Sequence, residues 1–207
     1  MNKRAYSVAG FLFLIDDNMG VTTNIMSQYT PFLVNQDNGS PLLFSVHLVK
    51  DVFEPAIENL RKEIKREEGD FLVRTCYYND GKVFYEFHYK GRRSASFLVD
   101  EDYTYAELKL EDYKLYGLNN TIRTLYTYAA LKYQAILFHA SSVCHKGKAY
   151  LFLGKSGTGK STHSSLWLSH IPDTELINDD ITPSVLCIRH KDSILLAAVA
   201  LIPLLRP

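Results

Sequence analysis

The sequence feature that most constrains the fold is a glycine-rich run of nine residues, Gly154–Thr162, which reads GKSGTGKST. The apolar stretch Ala149–Leu153 precedes this run, and a segment with a helix-like pattern follows it. The run has the spacing G-x-x-x-x-G-K-[S/T], which belongs between a strand and a helix. We therefore predict a strand, a tight loop and a helix in that order.

The residue types in this run suit the binding of phosphate groups. Glycines allow successive backbone N–H groups to face one anion, and the helix that follows adds its positive N-terminal dipole. The ammonium group of Lys160 would reach the β- and γ-phosphates of a nucleotide, and the Ser161 hydroxyl would bind Mg²⁺. The alternative is a Gly/Ser turn that binds nothing, which the flanking strand and helix patterns disfavour. The predicted nucleotide-binding residues are Gly154, Ser156, Gly157, Thr158, Gly159, Lys160, Ser161 and Thr162.

Two adjacent carboxylates, Asp179 and Asp180, follow the next apolar run, Glu175–Asn178. We interpret that run as a parallel strand that carries acidic residues to the carboxyl edge of a sheet, where ligands bind in open α/β folds. The carboxylates would coordinate Mg²⁺, or they would orient or deprotonate a nucleophilic hydroxyl. A solvated turn or a helix cap is the alternative for this pair.

His139 is a third candidate, in the predicted strand 135–144 that comes before the strand leading to the glycine-rich run. The sequence leaves two interpretations open, a satisfied core histidine and a participant in the site. Trp167, in the segment after the run, is interpreted as a residue that packs a helix rather than as a platform for a base.

In their order and spacing, three motifs resemble the nucleotide-binding domain of bacterial HPr serine kinase/phosphorylase and its relatives. The motifs are His139–Ser142, Gly154–Ser161 and Asn178–Asp180, and the resemblance covers about residues 120–182. That family is similar in fold to phosphoenolpyruvate carboxykinase, and it phosphorylates a serine of a small carrier protein with ATP and Mg²⁺. Residues 1–112 do not resemble the N-terminal domain of these enzymes, so the resemblance does not identify HPr as the substrate.

The resemblance also implies roles for the matching residues. The first carboxylate of the acidic pair becomes the base or the group that orients the hydroxyl, with the histidine beside it. The implied assignments are phosphate binding for Gly157, Gly159 and Lys160, metal binding for Ser161 and Asp180, and catalysis for Asp179, His139 and Lys160.

These observations predict an ATP- and Mg²⁺-dependent kinase that transfers the γ-phosphoryl group to a hydroxyl, with serine of a protein or peptide as the expected acceptor. Three alternatives stay open. They are a small-molecule kinase, a nucleotide-binding regulatory module with little or no turnover, and a nucleoside triphosphatase coupled to motion.

Composition excludes several other classes of function. The 207 residues carry 23 Lys+Arg and 23 Asp+Glu, so the chain lacks the basic excess of a general nucleic-acid binder. No apolar run approaches the length needed to span a bilayer. The three cysteines have no metal-binding or redox spacing. We expect a cytoplasmic protein with reduced thiols and no nucleic-acid or membrane partner, and a homo-oligomer stays open.

The first half of the chain contains strand patterns and no motif that names a reaction. We predict two domains: residues 1–116, a strand-rich α+β domain of unknown role, and residues 117–207, an α/β P-loop domain of the HPr kinase/phosphoenolpyruvate carboxykinase-like type. The predicted elements are strands over 4–15, 41–49 and 93–99, an amphipathic surface helix over Glu54–Glu67 stopped by Gly69, a hairpin of Phe71–Tyr78 and Val83–Tyr89, and a helix capped by Asn119 or Asn120.

The segment Ser193–Pro207 is nearly all apolar and lacks the alternation of a surface strand. We interpret the nucleotide-binding domain as incomplete at its C-terminus, with a truncated or shifted reading frame after Asp180. A buried strand pair completed by another chain is the alternative.

Overall fold

The computed structural model describes residues 3–35, 39–137, 140–155 and 157–178, and the backbone of residues 184–189 and 195–200. The chain divides into two compact units, which we call the N-terminal unit, Met1–Ala129, and the C-terminal unit, Ala130–Pro207.

Strands dominate both units. In the described residues the strands are β1 (Lys3–Val8), β2 (Phe11–Asp16), β3 (Leu33–Val34), β4 (Leu42–Leu48), β5 (Leu60–Glu68), β6 (Phe71–Tyr78), β7 (Val83–Tyr89), β8 (Arg92–Val99), β9 (Tyr105–Leu110), β10 (Ala140–His145), β11 (Lys148–Leu153), β12 (Thr174–Asn178), β13 (Ser184–Arg189) and β14 (Leu195–Ala200). The α-helices are α1 (Lys114–Leu131) and α2 (Lys160–His170), and 3-10 segments occupy Met26–Phe32 and Ile57–Asn59.

The N-terminal unit is built on one nine-stranded sheet in the order β3-β1-β2-β4-β9-β8-β7-β6-β5. The pairs β2–β4 and β4–β9 are parallel, and the other neighbours are antiparallel. Aromatic rings fill the core. Phe13 stacks on Tyr6 and on Phe44, each at a centroid distance of 5.2 Å, and Tyr126 of α1 meets the Phe44 ring edge-on.

Several predicted elements of this unit are confirmed. The hairpin formed by β6 and β7, the strand β8 and the strand β4 lie at or within one residue of their predicted bounds. Asn/Asp-Gly turns and alternating apolar residues are local signals, which explains why the sequence alone located these strands.

The single strand predicted over residues 4–15 was wrong, because the segment forms the hairpin of β1 and β2. Val8 lies opposite Phe11, and the turn residues Ala9 and Gly10 have φ values of 49° and 78°. The apolar run continues through this turn without the polar residues that usually mark one, so its pattern resembled one strand.

The amphipathic helix predicted over Glu54–Glu67 was also wrong, since most of this range belongs to β5. Leu60 and Ile64 are four residues apart, a spacing that places them on one face of a helix and equally on one face of a strand. In the structure β5 pairs along its length with β6. Gly69, with a φ of 57°, lies in the turn between these strands and does not end a helix.

The helix α1 was predicted, but it begins at Lys114, so Gly117 lies inside it and neither Asn119 nor Asn120 caps it. Asn119 is buried, and its Oδ1 accepts a hydrogen bond from the Tyr29 hydroxyl at 2.7 Å. The Asn120 amide donates to the Tyr116 carbonyl at 2.9 Å.

Close packing of α1 on the sheet explains where the first unit ends. A Cβ atom at Gly117 would lie 2.6 Å from the Ser94 carbonyl oxygen, so only glycine permits this approach. Near the other end of the helix the Tyr126 hydroxyl donates to the Val8 carbonyl at 2.9 Å. The boundary of the compact unit therefore lies at residues 129/130, later than the predicted 116/117.

The C-terminal unit contains a three-stranded sheet in the order β11-β10-β12, with α2 between β11 and β12 in the chain. Both outer strands are antiparallel to β10, so β11 and β12 are parallel to each other although they are not neighbours. The backbone of β13 and β14 forms a separate antiparallel pair. The prediction for the apolar tail concerns residues that lie mostly outside those described.

Candidate phosphate-binding site

The glycine-rich run lies between β11, which ends at Leu153, and α2, which begins at Lys160. Gly157 and Gly159 have φ values of 81° and 89°, in the left-handed region that favours glycine. A Cβ atom at either position would meet nothing within 4 Å, so the backbone conformation, and not crowding, requires glycine there.

Gly154, at the start of the loop, has a φ of 159° and a close neighbour in the Thr158 side chain. A Cβ atom at this position would lie 2.6 Å from the Thr158 hydroxyl oxygen. That hydroxyl donates to the Lys155 carbonyl at 2.8 Å, and the Thr158 backbone N–H reaches the same carbonyl at 3.3 Å. The loop is therefore folded tightly on itself at its start.

The side chain of Lys160 lies across this loop. Lys160 is only 4% exposed, and its Nζ donates to the carbonyl oxygens of Gly154 at 3.0 Å and of Lys155 at 3.1 Å. A buried ammonium group thus lies against the loop, with neutral carbonyl oxygens as hydrogen-bond acceptors. Oxyanions are stronger acceptors for ammonium groups than neutral carbonyls are.

The predicted residues Ser161 and Thr162 lie in the first turn of α2, with Ser161 half-buried and Thr162 exposed. Gly159 precedes the helix, and no side chain caps it. The first backbone N–H groups of a helix have no intrahelical acceptor, and the helix dipole makes this end positive. The arrangement can therefore hold an anion beside Lys160.

The sheet register brings the chain segments that carry the other predicted residues to one edge. Leu153, at the end of β11, pairs with Ala140, the first residue of β10. Asn178, at the end of β12, pairs with Ser142. The glycine-rich run, the start of β10 and the end of β12 therefore share the same end of the sheet.

Four predicted site residues, Ser156, His139, Asp179 and Asp180, lie outside the described residues. In the sequence His139 directly precedes β10, and Asp179 and Asp180 directly follow β12. Their predicted roles thus remain hypotheses, which the positions of these two strands make testable.

The charge distribution of the described C-terminal unit is uneven along the sheet. Lys155 and Lys160 lie in or beside the loop. Among residues 140–155 and 157–178 the carboxylates belong to Asp173 and Glu175, and Glu175 pairs with Cys144 near the other end of β10. In this part of the chain the described carboxylates lie toward the opposite end of the sheet from the loop.

Two buried serines next to the loop were not singled out from the sequence as site residues. Ser141 and Ser164 are 0% and 1% exposed, and their hydroxyl groups form a hydrogen bond between β10 and α2. Ser164 also donates to the Lys160 carbonyl at 3.2 Å. The spacing of Lys160 and Ser164, four residues apart, places them on one helix face, but the contact with β10 has no local sequence signal.

Ser142, the next residue of β10, is 2% exposed, and its hydroxyl oxygen has no hydrogen-bond partner among the described residues.

Trp167 packs against Tyr150 and Phe152 of β11 at ring-centroid distances of 4.6 and 5.8 Å, which confirms its interpretation as a packing residue. The aromatic contacts attach the middle of α2 to the sheet.

No protein-family model, curated protein or solved structure matches this chain. Among the described residues, no group of three or more His, Cys, Asp or Glu side chains is placed to hold a metal ion. Within the same residues, no helix has the length and apolar character to cross a membrane.

Proposed function

We propose that this chain binds ATP with Mg²⁺ at Gly154–Thr162 and transfers the γ-phosphoryl group to a hydroxyl, with serine of a protein or peptide as the acceptor. The observation that carries the proposal is the buried ammonium group of Lys160, held on the loop carbonyls of Gly154 and Lys155. A lysine buried against backbone carbonyls at a helix N-terminus is suited to exchange those acceptors for phosphate oxygens.

Binding of a nucleotide would then proceed as a substitution of acceptors. The Lys160 side chain would leave the neutral carbonyls for the β- and γ-phosphate oxygens, and the first N–H groups of α2 would complete the anion site. Because Lys160 is already buried, little desolvation would remain to be overcome when the phosphate arrives.

The donor chemistry of this segment fits a magnesium ion, which prefers oxygen ligands. Ser161, in the first turn of α2, would supply a hydroxyl, and Asp180 would supply a carboxylate. A bound Mg²⁺ would neutralise charge that develops on the transferred phosphoryl group. Asp179 would orient or deprotonate the acceptor hydroxyl, with His139 beside it.

The proposal includes the α/β fold type of the HPr kinase/phosphoenolpyruvate carboxykinase-like domains and a cytoplasmic location. The fold assignment is supported by the position of the glycine-rich run between β11 and α2, and by the shared sheet edge at which β11 and β12 end. In open α/β sheets ligands bind at the carboxyl ends of the strands. β11 and β12 both have their carboxyl ends at this edge, although each is antiparallel to β10.

Calorimetric titration with ATP, with and without Mg²⁺, tests the binding step. We expect Lys160→Ala to weaken binding about 10- to 100-fold, as loss of a charge-assisted contact does. Lys155→Ala is the matched control, because Lys155 is an exposed lysine of the same loop and should change affinity less than about threefold. Failure of the wild-type chain to bind ATP, or equal binding by Lys160→Ala, would contradict the proposal.

A second assay tests the chemistry, with γ-labelled ATP and serine-containing acceptor peptides. We expect transfer by the wild type and a loss of transfer, with binding retained, in Asp179→Asn. Ser161→Ala should remove the gain in affinity that Mg²⁺ gives while leaving Mg²⁺-free binding unchanged. Binding without transfer in the wild type would point instead to a regulatory module.

A further inference from the structure

The hydroxyl groups of Ser141 and Ser164 form a contact that the proposed function has not used. Ser164 lies one turn after Lys160 in α2, and its hydroxyl bridges the Ser141 hydroxyl of β10 and the Lys160 carbonyl oxygen. Lys160 itself reaches back to the loop through its Nζ. Hydrogen bonds at the two ends of Lys160, its carbonyl and its Nζ, therefore join β10, the first turn of α2 and the glycine-rich run.

We infer that Ser164, held by Ser141, is a positioning residue for Lys160 in the proposed phosphate site. This inference rests on the proposed function. The hydroxyl pair fixes the backbone of Lys160 relative to β10, so the lysine side chain and the N–H groups of the first helical turn keep one orientation toward the loop.

The burial pattern of α2 supports this role over general packing. The buried side chains of this helix are those of Lys160 and Ser164, whereas Leu166 and Leu168 are 49% and 40% exposed. The contact that anchors its first turn is thus polar. A buried polar pair fixes orientation more specifically than an apolar contact of similar size.

The chain provides a matched control within the same helix. The Ser169 hydroxyl donates to the Ser165 carbonyl at 2.8 Å, which is the same bond to the residue four positions earlier that Ser164 makes to Lys160. Ser169 is exposed and lies at the end of α2 remote from the loop. Substitution of Ser169 therefore removes an equivalent helix bond without touching the proposed site.

The test measures ATP dissociation constants for Ser141→Ala, Ser164→Ala, the double variant and Ser169→Ala, each checked by thermal melting without nucleotide. We expect each site substitution to weaken ATP binding about 2- to 10-fold, as loss of one hydrogen bond does. The double variant should be no weaker than Ser164→Ala, because Ser164→Ala already removes the contact with Ser141. Ser169→Ala should bind ATP as the wild type does.

Two further variants separate positioning from packing. Ser164→Cys keeps the volume but has a weak donor, so we expect it to resemble Ser164→Ala. In the Lys160→Ala background, Ser164→Ala should have no further effect on affinity, because Ser164 acts through Lys160. If Ser164 only packed the helix, Ser164→Cys should bind ATP as the wild type does. Ser164→Ala should then lower the affinity by the same factor with Lys160 present and with Lys160→Ala.

The outcomes distinguish this inference from the proposed function. If the wild type binds ATP and Ser164→Ala binds it equally well, the inference is overturned while the proposed function stands. If the wild type binds no ATP, the proposed function fails and the inference fails with it. Hydrogen exchange without nucleotide gives an independent readout: the amides of residues 160–164 should exchange faster in Ser141→Ala and Ser164→Ala than in the wild type or Ser169→Ala.

Discussion

In their described residues, the two units of this protein differ in the largest side chains that they bury. In the N-terminal unit Phe13, Phe44 and Tyr126 are completely buried and packed ring against ring. In the described C-terminal unit Lys160 and Ser164 are the buried side chains of α2. The described apolar side chains of that unit include several that are 40–60% exposed, namely Leu153, Leu166, Leu168 and Leu176.

This difference indicates what the buried side chains of each unit contribute. Aromatic contacts maximise the apolar area removed from water, so the N-terminal sheet is arranged for stability. Burial of a lysine and two hydroxyl groups costs desolvation unless each is hydrogen-bonded, and a site that binds an anion gains from such groups. We expect substitutions in the N-terminal core to change stability and substitutions in the glycine-rich run to change the affinity for ATP.

The largest expected effect belongs to the aromatic core. Phe44→Ala should lower the free energy of unfolding by about 3–5 kcal/mol, because it leaves a cavity beside Phe13 and Tyr126. Phe53→Ala, at a position 81% exposed, is the control and should change stability by less than about 0.5 kcal/mol. Urea unfolding followed by circular dichroism measures both.

The same experiment tests how far the units are separate. The one tryptophan of the chain, Trp167, lies in the C-terminal unit, so its fluorescence reports on that unit. We expect the circular-dichroism transition of Phe44→Ala to move more than the fluorescence transition. Identical shifts of both signals would show that the two units unfold together. The stability of the N-terminal unit could then not be described separately from that of the C-terminal unit.

A smaller effect is expected from the loop, and it should appear in affinity rather than in stability. Gly159→Ala places a side chain at a φ of 89°, which costs about 1–2 kcal/mol. The loop can relax by leaving the left-handed conformation, so ATP affinity should fall about 5- to 30-fold while the unfolding midpoint changes little.

Gly159→Asn is the matched variant, because asparagine tolerates the left-handed region better than alanine, and no atom within 4 Å would obstruct its Cβ. It should recover part of the lost affinity. Equal losses in the alanine and asparagine variants would argue that a side chain at this position blocks the ligand directly.

The pH dependence of stability should come in part from Asp17 in the N-terminal unit. Asp17 is 3% exposed, and its carboxylate accepts hydrogen bonds from the Val21 N–H at 3.1 Å, the Thr22 N–H at 2.7 Å and the Thr22 hydroxyl at 2.6 Å. Burial by itself raises the pKa of the carboxyl, but these hydrogen bonds outweigh burial and lower its pKa below the ordinary value.

A pKa that is lower in the folded than in the unfolded chain stabilises the fold above the unfolded value, which is about 4. The stabilisation is lost as the pH falls through the folded pKa. Asp17→Asn should therefore lower the free energy of unfolding near neutral pH by about 1–2 kcal/mol. Below about pH 4, the free energy of unfolding of this variant should fall less steeply with decreasing pH than that of the wild type. Asp70→Asn, at an exposed carboxylate, is the control in urea unfolding at pH 3 to 7. An acid decline as steep in Asp17→Asn as in the wild type would contradict the prediction.

Sequence reasoning succeeded where the signal is local. The run Gly154–Thr162 predicted a loop between a strand and a helix, and the structure has β11 and α2 at its two ends. The hairpin at Asn79–Gly81 was found because the positive-φ turn residues are adjacent in the chain. Each of these elements needs only neighbouring residues to specify it.

The errors share a different cause, which is dependence on distant partners. β5 was taken for a helix because the spacing of Leu60 and Ile64 fits one face of a helix as well as one face of a strand, and pairing with β6 decides its conformation. Arg74 of β6 hydrogen-bonds to Glu63 of β5 and to Glu54. These contacts cannot be predicted from the helical spacing of residues 54–67. The same limit applied to Ser141 and Ser164, which lie 23 residues apart and meet only after α2 packs on β10.

The smallest expected effect concerns the exposed charges of the N-terminal unit, and it sharpens the comparison between core and surface. Lys109 donates to Asp51 at 3.0 Å, but the Asp51 side chain is 64% exposed. Solvent screening and the entropy of ordering long side chains leave such pairs with little net stabilisation. Asp51→Asn should therefore change the free energy of unfolding by no more than about 0.5 kcal/mol, measured by urea unfolding at low and at high salt.

The salt dependence makes this prediction specific. If the pair contributes at all, its contribution should decrease as ionic strength rises, because exposed charges are screened. A loss approaching that of Phe44→Ala would mean that ion pairs, together with the aromatic core, stabilise the nine-stranded sheet. Charge would then stabilise the N-terminal unit as well as form the proposed site of the C-terminal unit. Apolar side chains could then no longer be assigned to stability alone, and charged side chains to ligand binding alone.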